Sequence, residues 1–264
     1  MTPGPEYYNR IYQLIEARAN IPAHISDVLL GLAWSSVTLQ CDDSRALSTG
    51  LAFSPAQAPR NLPWPGTLTE KSIADILSWL HGWDNSQLVV ALAAANAAIS
   101  LNNQLLTKAE PVTCHRPFDI PANLAVFAHF AEQLHGADVA IIGRYPGIEY
   151  FDKQFSYTCI ERTPQGRDLP DAAANYILPQ ADWVFITASS LTNKTLPHLL
   201  WLARNATVVL MGPSMPWLAE WADFGVDYLA GVQVEDPALL HTIISQGGGT
   251  KIFDAAAPYR VIKL

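Results

Sequence analysis

Between residues 137 and 231 five short apolar runs recur: "ADVAIIG", "FSYTCIE", "DWVFITA", "TVVLMG" and "VDYLAG". Turn or helical segments separate them. Apolar runs of strand length, spaced by possible crossing helices, are the pattern of a parallel sheet buried on both faces. "DLPDAAANYIL" reads as one such helix, with Pro170 where a first turn accepts it. "DPALLHTIIS" reads as another, before Gly247-Gly248-Gly249 and a last strand, "YRVIKL". This half of the chain is expected to be an α/β parallel-sheet domain.

The first half has a different rhythm. In "EYYNRIYQLIEARA" Tyr8, Ile11, Tyr12 and Ile15 recur at helical spacing. "DVLLGLAWSSVTLQ" and "RALSTGLAF" read as two extended segments joined at the turn-rich "CDDS", a hairpin. "SPAQAPRNLPWPG" carries prolines 55, 59, 63 and 65, which suit a loop or flap with Trp64 as its apolar contact. A capping box from Thr67 to Glu70 predicts a helix carrying Ile73, Ile76, Leu77 and Leu80 on one face, and a second helix is expected over 85–102. These elements predict a small α+β domain over 1–110 and a parallel-sheet domain over 111–264, meeting near "KAEPVTCHRPFD".

Composition narrows the partners. The 264 residues carry a net charge of -8 and no basic cluster, which argues against nucleic acid. The most apolar stretch, "LVVALAAANAAISL", is broken by Asn96, so no membrane span is expected, and the N-terminus lacks a signal-peptide pattern. Cysteines 41, 114 and 159 have no paired spacing, which suits free thiols in a reducing cytoplasm.

In open parallel sheets ligands sit beyond the carboxyl ends of the strands. Three loops fall there. "TASSLTNKT" leads from the third run into a helix and offers Thr187, Ser189, Ser190, Asn193, Lys194 and Thr195 to an anionic guest; capping accounts for one or two of these side chains. "GRYPG" has Gly143 and Gly147 for a tight turn and Tyr145 for stacking or packing. "MGPSMP" makes a rigid turn with Gly212 behind Ser214, a ligand contact or a cap. Neither G-x-G-x-x-G nor G-x-S-x-G is present, so NAD and a nucleophile elbow are not expected. Glu161 ends the second run where an acid can bind ribose hydroxyls; pairing with Arg162 or Arg167 explains it equally well. Glu161 with Asp168 would offer hard oxygen ligands, whereas Asp171 suits a helix start. Asn96, beside an apolar helical stripe, needs partners if buried: it ties down a loop or faces a cleft.

"ADVAIIGRYPG", "ERTPQGRDLPD", "ADWVFITASSLTNKT", "VVLMGPSMP" and "VDYLAG", in that order, resemble the bacterial and archaeal family described as "putative heavy-metal chelation". "GLAF" and "ANAAISLNN" carry the resemblance into the first half. It implies an enolase N-terminal-like domain joined to a Rossmann-like domain, a cleft between them, and a link to metal handling or metallo-cofactors. The residues do not show a metal site of their own. C-x-x-C, H-x-x-x-H and H-E-x-x-H are missing, His129 and His135 do not share a helix face, and Cys114-His115 would point apart if extended. A metal would have to be gathered from distant residues or arrive already chelated.

The leading expectation is a cytoplasmic protein that binds a small anionic or metal-complexed ligand between its halves. Loops 143–147, 187–195 and 212–216 would form one wall and Asn96 the other. One alternative is an enzyme using a nucleotide or adenosyl cofactor; another is a subunit or assembly factor whose cleft only mediates protein contact, which an exposed patch of Trp201, Trp217 and Trp221 would favour. Homo-oligomer formation is compatible with each.

Overall fold

The computed structural model describes residues 4–54, 61–69, 71–112 and 120–264. Helix α1 (Pro5–Ala19) starts on a proline that its first turn tolerates and buries Ile11, Tyr12 and Ile15. Three strands follow, β1 (Ala23–Leu30), β2 (Trp34–Cys41) and β3 (Leu47–Phe53), in an antiparallel sheet ordered β1-β2-β3. The expected hairpin is β2–β3. The segment read as one extended run, 27–40, is instead broken at Gly31, whose N–H donates to Trp34 O and closes a second hairpin tipped by exposed Leu32.

The capping box expected at Thr67 is not the helix start. Thr67 donates to Trp64 O, and Glu70 lies outside the described residues, as do Pro55 and Pro59 of the expected flap. Ser72 caps α2 (Ile73–Leu77) by accepting from Asp75 N, and its hydroxyl bonds the Asp75 carboxylate in return. Trp64 does not reach a cleft; its ring packs at 5.6 Å on Trp79, within the core of the first half. Helix α3 (Asn85–Ser100), capped by Asp84, is buried on every side, so it runs through the middle of the molecule. It lies directly on the small sheet: a Cβ at Gly50 would stand 2.2 Å from Ala93 O and Ala97 N. Short α4 (Gln104–Lys108) leads to β4 (Glu110–Pro111).

The second sheet contains every expected run: β5 (Val139–Ile142), β6 (Tyr157–Glu161), β8 (Trp183–Thr187), β9 (Thr207–Met211), β10 (Tyr228–Val232) and β11 (Tyr259–Lys263), with a two-residue β7 (Leu169–Pro170). The order is β4-β11-β10-β9-β8-β5-β6-β7. Strands β10 to β7 in that order run parallel, and β11 and β4 add antiparallel pairs at one edge. Helices α5 (Ala125–Phe130), α6 (Ala174–Ile177), α7 (Leu196–Leu202) and α8 (Pro237–Ser245) belong to this half. The architecture is mixed α/β: a small antiparallel sheet beside a larger, mostly parallel one flanked by helices.

One continuous apolar core joins the two sheets' elements, from Ile11 and Ala91 to Leu191, Trp217 and Leu229. Hydrogen bonds also cross: Tyr12 Oη donates to Leu191 O, Asn103 Nδ2 to Trp217 O, and Trp34 Nε1 to Gly249 O. The tryptophans do not form an exposed patch. Trp217 and Trp221 are buried with their indole N–H groups bonded to Val232 O and Pro216 O, and Trp201 is half-buried.

Candidate functional site

The strand order places a topological switch between β5 and β8, since β6 lies on one side of β5 and β8 on the other. Such a switch opens a crevice between the two following loops. Here Thr187 fills it. A Cβ on Gly143, which has φ +96°, would stand 2.9 Å from Thr187 Cγ2. Tyr145 packs edge-on against Phe127, and its buried hydroxyl has no hydrogen-bond partner. Burial raises its pKa.

The hydroxyls after β8 bond locally. Thr187 Oγ1 meets Ser189 Oγ, Ser190 Oγ donates to Thr187 O and Thr192 Oγ1 to Ser189 O. Asn193 Oδ1 accepts from both the N–H and the hydroxyl of Thr195. Lys194 turns back to the first half, donating to Leu80 O with its ammonium 3.6 Å from the Tyr12 ring centre. This segment meets the first half through Lys194, in a packed joint, while its hydroxyls and Asn193 Oδ1 are engaged within the segment.

Glu161 and Asp168 do come together, around Arg144, a residue with no motif to mark it. Glu161 accepts from the N–H groups of Arg144, Arg162 and Thr163, so its carboxylate holds its own turn and is not free for a ribose. Asp168 takes two bonds from Arg144 Nη1 at 2.8 and 3.0 Å and one from Gln165 N. Burial alone would raise the Asp168 pKa; the Gln165 N–H and the guanidinium outweigh it and hold the carboxyl below the usual range. Arg144 also pairs with Glu149.

Open space lies elsewhere, between the two sheets. A cavity of about 160 Å³ is bounded by β3 from Leu47 to Leu51, by Asn96 and Ser100 of α3, by Pro213, Met215 and Trp217 after β9, and by Val232 at the end of β10 with Gln233 and Val234 beyond it. Asn96 is 4% exposed. Its Nδ2 donates to Leu51 O at 2.8 Å and more distantly to Pro213 O, so it ties two loops together. Its Oδ1 has no partner. Gly212 (φ +113°) directs the chain into Pro213, and Ser214 Oγ accepts from Phe53 N at 2.8 Å, so these two residues shape the wall without lining it. Gly143, Tyr145, Glu161, Asp168 and the segment 187–195 do not line this space. The sequence reading missed the β3 edge and Gln233. "RALSTGLAF" reads as extended, but nothing in it marks that strand as an edge of its sheet.

The cavity lining contains no acid, base, thiol or imidazole. Among the described residues no three of His, Cys, Asp and Glu gather closely enough to hold a metal ion. Cys114 and His115 lie outside the described residues. Among those residues, too, no helix is long and apolar enough to cross a membrane.

Two models of families described as "Putative heavy-metal chelation" match the chain, over residues 12–99 and 125–263. An uncharacterized protein of Methanocaldococcus jannaschii is 34% identical over 113 residues, which are 39% of this chain and 44% of that protein. The chain thus matches less than half of that relative's length. Two crystal structures of proteins of unknown function are similar throughout. The one from Desulfitobacterium hafniense has a TM-score of 0.80 at 23% identity, covering 99% of this chain and 100% of its own. The one from Pyrococcus horikoshii has a TM-score of 0.75 at 20% identity, covering 98% and 100%. At that identity the likeness is one of fold.

Proposed function

Since the chain belongs to the family described as "Putative heavy-metal chelation", we propose that it binds a small neutral ligand, or a metal already wrapped in one, in the cavity between its two sheets. The observation that carries this reading is the orphaned Asn96 Oδ1. A buried acceptor without a donor costs about 1–3 kcal/mol. A ligand N–H or O–H would remove that cost. The lining offers a heavy-metal ion no thiolate, imidazole or carboxylate and a single soft donor, the Met215 thioether, so its donor set does not fit a bare ion. It offers an anion no charge either, which moves the reading away from the anionic guest expected from the loop after β8. An organic chelate presents its periphery and hides the metal, and a neutral periphery matches this lining.

Thermal unfolding tests the reading. The purified protein is heated with copper(II) or nickel(II) alone, with glycine alone, and with the neutral bis-glycinato complexes. Binding raises the melting temperature by mass action, by the equivalent of about 2.7 kcal/mol at a hundredfold excess over Kd. The complexes should raise it, the separate components should not, and Asn96→Leu should abolish the rise. A shift as large with the bare ions overturns the proposal, and so does the absence of any Asn96-dependent binding both of these complexes and of a metal-free neutral ligand.

A further inference from the structure

The wall of the cavity formed by β3 is a strand edge, and its hydrogen-bonding groups can be assigned one by one. In an antiparallel pair, residues alternate between those bonded across the pair and those whose N–H and C=O point outward. Ser54 N donates to Ala33 O and Cys41 N to Ala46 O, so with the β2–β3 register the even-numbered residues of β3 bond inward to β2. Leu47, Thr49, Leu51 and Phe53 therefore turn their backbone groups outward. Two contacts confirm this: Leu51 O accepts from Asn96 Nδ2, and Phe53 N donates to Ser214 Oγ. At the Phe53 end the edge is thus closed. At the Leu47 end it is open, with Leu47 64% exposed. In between, the N–H and C=O of Thr49 and the N–H of Leu51 are bonded by no group among the described residues, and both residues line the cavity. Asn96 Oδ1, buried and unpartnered, stands in the same lining.

We propose that the ligand of this cavity is a short, uncharged, peptide-like amide that adds to the β3 edge. This rests on the cavity reading above and names its ligand class. An edge residue such as Thr49 presents a donor and an acceptor side by side, and an amino-acyl unit, with its own C=O and N–H, matches both at once. Leu51 N–H, two residues further, takes the next outward carbonyl. A ligand N–H at the closed end satisfies Asn96 Oδ1. A cavity of about 160 Å³ admits one or two residues of such a chain, not a folded segment. The absence of any charged lining residue selects amides over free amino or carboxyl termini.

Nuclear magnetic resonance on the full chain labelled with nitrogen-15 tests this, with N-acetyl-dialanine methylamide as probe and its backbone N-methylated analogue as control. Saturable shifts should appear at the backbone amides of Thr49 and Leu51 and at the side-chain amide of Asn96. The N-methylated control should bind about tenfold more weakly or not at all, as loss of one hydrogen bond to a buried group implies. Asn96→Leu should abolish the shifts. If that variant does not fold, Ser100→Phe, which fills the rim, should do the same. No saturable shift at Thr49 or Leu51, or equal shifts with the control, overturns the amide assignment. If the neutral metal complexes still stabilise the protein through Asn96, the cavity reading survives and only the ligand class falls; if they do not, both fall together.

Discussion

At the scale of single residues, Lys194 shows how far environment departs from type. Its backbone is left-handed, with φ +64°, and its half-buried ammonium lies over the Tyr12 ring. Burial lowers its pKa from 10.5 to about 8. The native chain therefore holds this proton less tightly than the unfolded chain does. The resulting destabilisation is complete below about pH 8 and fades as pH rises towards 10.5, so the site's contribution to stability increases across that window. Lys194→Met keeps the stem over Tyr12 and removes the charge. The melting temperature of the wild type relative to this variant should rise between about pH 7.5 and pH 10. A difference independent of pH would show that the ammonium is as well solvated as in the unfolded chain. From sequence, Lys194 was a cation offered to a ligand; its position against Tyr12 and Leu80 makes it part of the joint between the halves.

At the scale of elements, the contact between α3 and β3 decides where the cavity lies. Gly50 lets the helix backbone rest on the strand, and no side chain fits there. Gly50→Ala should cost about 3 kcal/mol, the range for overpacking a core, read as a lower denaturant midpoint at unchanged slope. Little or no loss would mean that α3 lifts away easily. The strands of the large sheet were legible because each is a compact apolar run. The break in 27–40 was marked by Gly31 and could have been taken as a turn. The start of α2 was not legible from Thr67, because two capping patterns stand a few residues apart and packing selected Ser72. The polarity of the loop after β8 was legible, but not its use: those hydroxyls bond within the loop, which residue types alone do not distinguish from hydroxyls facing a ligand.

At the scale of the whole molecule, the two sheets share one apolar core, and hydrogen bonds cross between them. Denaturant unfolding should therefore follow one transition. The chain's tryptophans lie in both halves, so the midpoint of their fluorescence should coincide with that of far-ultraviolet circular dichroism. Two separated transitions would show that the halves fold independently. The sequence by itself determined the α/β class, the apolar strand runs and the existence of a helix near 85–102, because these follow from hydrophobic periodicity and local turn chemistry, and its motifs carried the family resemblance. Only the tertiary structure decided that β3 is an edge, that Thr187 fills the switch point and that Asn96 Oδ1 is left without a donor. Those facts depend on which groups distant segments bring together, and hydrogen-bond satisfaction is settled only when every neighbour is in place.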